Sequence, residues 1–150
     1  MALLPGMYCV ARHTARFHLQ VQLQNVPSDV PTPDAVVVEG KVVRVFRGRK
    51  ALGVGDIVTF KVMVTRRTDD IDSIPIGPPL WDYDYLLKVK FMEVFLNGEP
   101  PACGLAAWQA QFVEAPSVRP IMQGKHLRCF LAWRLTRLSK IGRASCRERV

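Results

Sequence analysis

The tightest constraint on this chain is an alternation near its start. Phe17, Leu19, Val21 and Leu23 take turns with His18, Gln20, Gln22 and Gln24. A period of two sends the two sets to opposite sides of an extended backbone, so residues 17–24 read as a strand with one apolar face. On this reading His18 lies on the solvated side. A second strand is expected over 35–46, rich in valine, with Gly40 marking a bulge or coil that bends it. A third covers 57–64, where Val58, Phe60, Val62 and Val64 share one side and should bury against Phe17, Leu19, Val21 and Leu23. The turn between them, 47–56, carries three glycines and no G-x-x-x-x-G-K-[ST], which makes it hairpin chemistry and not a phosphate loop.

Other segments punctuate this core. Pro27, Pro31 and Pro33 interrupt 25–34, and proline cannot donate to a ladder, so that stretch is a connector. Residues 65–84 read as a long loop. Residues 86–96 suit a strand, with a helix capped by Asp82 or Asp84 as the alternative. Asn97 and Gly98 then offer a turn into a fifth strand that ends near 113. Leu127, Leu131, Leu135 and Leu138 give 125–138 helical spacing. Four or five short strands predict a mainly β fold, a small curled antiparallel barrel or sandwich of about five strands, OB-like, with a C-terminal helix after it. The expected organisation is an N-terminal segment 1–15, a β-barrel domain 16–124, a helical segment 125–140 and a tail.

The tail, residues 141–150, resembles a translated sequencing adapter. One frame through a common short-read library adapter spells Ile-Gly-Arg-Ala-Ser-Cys-Arg-Glu-Arg-Val, and such scars are set aside before fold reasoning. The chain's formal charge is +8. Arg143, Arg147 and Arg149 against Glu148 account for +2, so the body keeps +6. This basic balance favours an anionic partner or serves solubility alone. Tail residues are expected to pack nowhere, and their removal should leave the melting temperature unchanged.

Residues 38–46, the turn, and 52–62 together resemble the strand–turn–strand core of bacterial OB-fold or netrin-like small barrels. The likeness spans about a quarter of the chain. It implies a small β-barrel. Netrin-like modules carry an N-terminal cysteine framework, whereas this chain offers Cys9 and Cys103, so no functional residue carries over.

Chemistry-bearing residues form few constellations. Without the tail, Cys9, Cys103 and Cys129 make no CxxC and no Cys/His ligand spacing, so neither a metal nor a cofactor is expected. A Cys9–Cys103 disulfide would form only in an exported protein. Asp69, Asp70 and Asp72 lack the interleaved ligands of a calcium loop. No serine sits in G-x-S-x-G, which turns the reading away from an enzyme. The basic group Lys41, Arg44, Arg47, Arg49 and Lys50, with Arg66 and Arg67, is the candidate ligand surface, spread along a hairpin with Arg66 near Lys41. Phe46 and Phe60 are expected in the core, which leaves that surface without a stacking platform. Trp81, Asp82, Tyr83, Asp84 and Tyr85 form an alternative loop site, with two carboxylates beside aromatic rings.

Three functions follow. The first is a non-catalytic β-barrel binding module for a protein or anionic ligand. The second is an OB-like protein that binds single-stranded nucleic acid through the basic 41–50 hairpin. The third is a hydrolase centred on 81–85. No stretch reaches the roughly 18 apolar residues that span a bilayer. The N-terminus lacks the pattern of a signal peptide, so the expected compartment is the cytoplasm, or export if translation starts elsewhere.

Overall fold

A computed structural model describes residues 5–66 and 80–122. The expectations for Asp69, Asp70 and Asp72, for Arg67, for the 125–138 helix and for the 141–150 tail lie outside the described residues. Helix α1 (Pro5–Thr14) leads into strand β1 (Phe17–Asn25). Strands β2 (Asp34–Arg47) and β3 (Ile57–Thr65) follow, then a two-residue strand β4 (Trp81–Asp82) and a short helix α2 (Tyr83–Leu86). Strands β5 (Phe91–Gly98) and β6 (Cys103–Val113) complete the chain of elements. They form one curled half-barrel sheet in the order β4-β3-β2-β1-β5-β6.

Neighbours are antiparallel except for β3–β4. The curl brings β3 and the residue before β6 together at one point. There Thr59 and Ala102 form a parallel bridge, and the Thr59 amide donates to the Pro101 carbonyl at 2.7 Å. The curl comes from extra residues in the ladders, which sharpen the local twist. The β1–β2 register shifts three times, once where Leu23 faces Gly40 and Asn25 faces Glu39. Gly40 has a packing reason as well, since a Cβ there would come within 2.9 Å of the Val21 Cβ. In β6, residues 106–109 stand opposite Phe95 alone, and Ala107 and Trp108 take left-handed φ values of 47° and 58°.

The inner side holds the core. Phe17, Leu19 and Val21 pack with Val58, Phe60, Val62 and Val64, as the two alternations require, while Leu23 is only partly buried at the edge. Met92, Val94 and Leu96 of β5 join them. Burying each such side chain contributes about 1.5–3 kcal/mol. Tyr83 and Leu86 are fully buried at the same core, anchoring the segment after β4.

Several expectations need correction. The strand forecast for 86–96 begins only at Phe91, because Asp82 caps α2 and the helical turn runs on through hydrogen bonds from Leu87, Lys88 and Val89. The β5–β6 pairing across the Asn97–Pro101 turn is as expected. The β2–β3 hairpin is shorter than forecast. Its ladder stops at Lys41 opposite Ile57, and β2 runs on to Arg47 paired with β1 alone. Gly48 and Gly55, both at positive φ, then fold residues 48–56 back beside that overhang, with the Gly55 amide bonded to the Val42 carbonyl at 2.8 Å.

His18 is not solvated. It is 3% exposed, and Gln20 is fully buried. The reason is a second layer on the outer side of β1 and β5, where Ala15, Phe95, Ala106 and Met122 form their own cluster. Helix α1 lies against β6 and the segment 114–122 returns over β1 and β5; the alternation of β1 could not show that either exists.

Candidate functional site

The outer layer is organised by one carboxylate. Glu93, in the apolar run of β5, has no exposed surface and sits opposite Gln20 in the ladder. Its Oε1 lies 2.8 Å from His18 Nε2 and accepts from the Met122 amide at 3.1 Å. Its Oε2 accepts from Gln20 Nε2 at 2.9 Å and from the Ile121 amide at 3.0 Å. Burial pushes this carboxyl up, but the donors His18, Gln20, Ile121 and Met122 outweigh it and hold the group below its ordinary 4.5. Gln20 also clamps Ser117, through Nε2 to the hydroxyl at 2.7 Å and Oε1 to the amide at 2.8 Å. The His18 ring stacks on Phe95 at 4.0 Å and tilts against Phe46 at 4.9 Å. The His18, Gln20 and Glu93 side chains are buried, and their effect is to pin the 117–122 strap onto the sheet.

The strap forms one wall of a concavity. Arg44 stands opposite Gln20 in the β1–β2 ladder, on the side where Ser117 is clamped. Arg44, Phe46, Arg49, Leu52, Val54 and Val118 line a depression of about 360 Å³. Arg49 is steadied by its Nε, which donates to the Val45 carbonyl at 3.1 Å. Val54 and Val118 are 70% and 83% exposed, and Arg44 is exposed with no partner among the described residues. Phe46 is half-buried here, on the outer side, and not in the core as expected. The bulges of β1–β2 shift the inner positions of β2 to Val42 and Val45, which turns Phe46 outward.

The basic residues forecast as one surface part company. Arg47 donates through Nη1 to the carbonyls of Arg12, His13 and Ala15 at 2.8–3.0 Å, capping the end of α1. Arg66 pairs with Asp84 at 3.5 Å and lies over the Tyr83 ring. Lys41 and Lys50 are exposed. Lys41 is not near Arg66: it faces Ile57, at the other end of the β2–β3 ladder from Asp34 and Val64. Among the described residues of the forecast set, the concavity gathers only Arg44 and Arg49.

The alternative loop site is likewise distributed. Asp82 accepts the Tyr85 amide at 3.1 Å as the cap of α2, and Tyr83 donates its hydroxyl to the Pro27 carbonyl. Trp81 and Tyr85 meet Phe112 edge-on at 4.8 and 4.9 Å. An extended chain across 82–84 would put both carboxylates on one side, but α2 begins at Tyr83. A shallow depression of about 330 Å³ remains beside Asp82, Asp84, Tyr85 and Lys88.

Cys9 and Cys103 are not joined in a disulfide, and burial raises the Cys103 thiol above its ordinary value. Among the described residues no cluster of His, Cys, Asp and Glu could hold a metal ion, and no helix is long and apolar enough to cross a membrane. No protein-family model matches the chain, and a search of curated proteins finds no match.

Sequence reasoning missed the Glu93 network. A signal was present: Glu93 interrupts Phe91, Met92, Val94, Phe95 and Leu96, and a carboxylate inside such a run needs buried donors.

Proposed function

We propose that this chain is a non-catalytic binding module whose working surface is the Arg44–Arg49 concavity and whose partner is anionic. The observation that carries this reading is the contrast among the arginines. Arg47 and Arg66 are engaged by α1 and Asp84, whereas Arg44 has no partner among the described residues and stands beside a depression with a preformed wall. Guanidinium groups suit phosphate and carboxylate because their donors form a fork.

A second reading, single-stranded nucleic acid on an OB-like barrel, has two observations in its favour. The strand connectivity, with β1 between β2 and β5 and a parallel bridge joining β3 to the start of β6, supports the likeness to OB-type barrels. Phe46, half-exposed between the two arginines, could stack one base.

Titration of a fluorescein-labelled oligothymidylate at low and moderate salt tests both. Binding that weakens with salt and drops several-fold in Arg44→Gln supports the nucleic-acid reading at this surface. No binding at low salt removes it and leaves the module to a non-nucleic anion. Anion binding unaffected by Arg44→Gln would overturn the choice of surface.

A further inference from the structure

We infer that the concavity selects a small amphiphilic anion, a phosphate or carboxylate joined to an aryl or short acyl body. The inference rests on the proposed binding surface and adds its ligand class. The site has two unlike halves. Arg44 and Arg49 supply the charged one, and Phe46, Leu52, Val54 and Val118 supply the other. Two valines as exposed as Val54 and Val118 would be ordinary if scattered, but here both line one depression, where an apolar ligand body would cover them.

Size points the same way. A volume of about 360 Å³ falls at the small end of the roughly 300–1,000 Å³ range of small-molecule sites. A polymer would need successive stacking rings, and among the described residues Phe46 is the single aromatic ring in this lining. The far wall is also fixed before a ligand arrives. Ser117, next to Val118, is held by Gln20 through two hydrogen bonds, and Ile121 and Met122 are held by Glu93. A wall ordered in advance removes part of the entropy cost of binding. The His18 ring backs Phe46 on the opposite wall, so one buried network sets both sides of the apolar half.

The test is an NMR titration of the full chain with 1-naphthyl phosphate, inorganic phosphate and 1-naphthol. Naphthyl phosphate should bind about tenfold or more tightly than inorganic phosphate, because half-burying the ring adds apolar contact. The shifts should centre on the amides of Gly53 and Val118. Arg44→Gln should weaken naphthyl phosphate by roughly three- to tenfold. The double variant Val54→Ala with Val118→Ala alters only exposed side chains. It should draw naphthyl phosphate towards the affinity of inorganic phosphate and leave the latter unchanged. Equal affinity for the two phosphates, both still lost in Arg44→Gln, would overturn the amphiphile while preserving the anionic surface. Binding of neither in an Arg44-dependent way would overturn the surface itself. Tighter binding of 1-naphthol than of naphthyl phosphate would show an apolar patch in which the arginines play no part.

Discussion

β1 and β3 carry the same alternating pattern but are buried differently. In β3, Val58, Phe60, Val62 and Val64 are buried, while Ile57 and Lys61 are exposed and Thr59, Met63 and Thr65 are half-exposed. In β1 the first five residues, Phe17 to Val21, are all buried. The difference lies in what covers the second side, since β1 is central and roofed by the outer layer, whereas β3 lies towards the edge. Alternation therefore reports that one side is apolar, and leaves open whether the polar side meets water. Where it does not, polar groups must find partners inside, and His18 and Gln20 find Glu93.

The largest effect should come from removing that partner. Glu93→Ala leaves four donors without their acceptor in a closed site, and breaking a buried charged cluster this way costs about 3–5 kcal/mol. Urea unfolding measures it, and a loss under 1 kcal/mol would mean that the outer side of β1 is wet after all.

Next come the two glycines at the ends of the 48–55 loop. Gly48 adjoins β1, and a Cβ on it would fall on the Phe17 ring, while Gly55 adjoins β3 with open space around it. Both have positive φ, which costs any other residue about 1–2 kcal/mol. Gly48→Ala should add an overpacking cost of about 1–3 kcal/mol to that, and Gly55→Ala should not. Equal losses in melting temperature would erase the contrast between the two regions.

Acid should separate them too. The Glu93 carboxyl is held below 4.5 in the fold, so the unfolded chain binds its proton first as pH falls. Its stabilisation is complete above about 4.5 and disappears as pH drops through the lowered folded value. Wild type should thus lose stability below pH 4.5 more steeply than Glu93→Gln, with the 121 and 122 amides exchanging faster. Parallel curves would place the acid-sensitive group elsewhere.

The same contrast explains what was legible. The inner faces of β1 and β3 were readable because both depend on spacing within one segment. The turn after β5 was readable because Asn97 and Gly98 act locally. His18, Phe46 and Arg47 were misplaced because each depends on a distant element: the strap, the β1–β2 bulges and the end of α1. Arg44 and Arg49 were both named beforehand, but their separation from Arg47 and Arg66 needed tertiary partners to be seen. Leu52, Val54 and Val118 carried no signal at all, since a valine in a loop announces nothing until a wall forms around it.

The smallest predicted effect is the most exacting check on β3. Lys61 is exposed and faces Val37 across the ladder, itself 49% exposed. Its ammonium has no partner among the described residues, so Lys61→Ala removes only contact between the lysine stem and Val37. That change should stay within about 0.5 kcal/mol of wild type. Lys61→Val should be neutral or stabilising by a few tenths of a kcal/mol, because a β-branched residue fits a half-exposed pleat beside Val37. A loss near 2 kcal/mol on Lys61→Ala would mean that something covers this side as the strap covers β1. The two strands would then share one environment, and the burial of His18 would need a cause other than the outer layer.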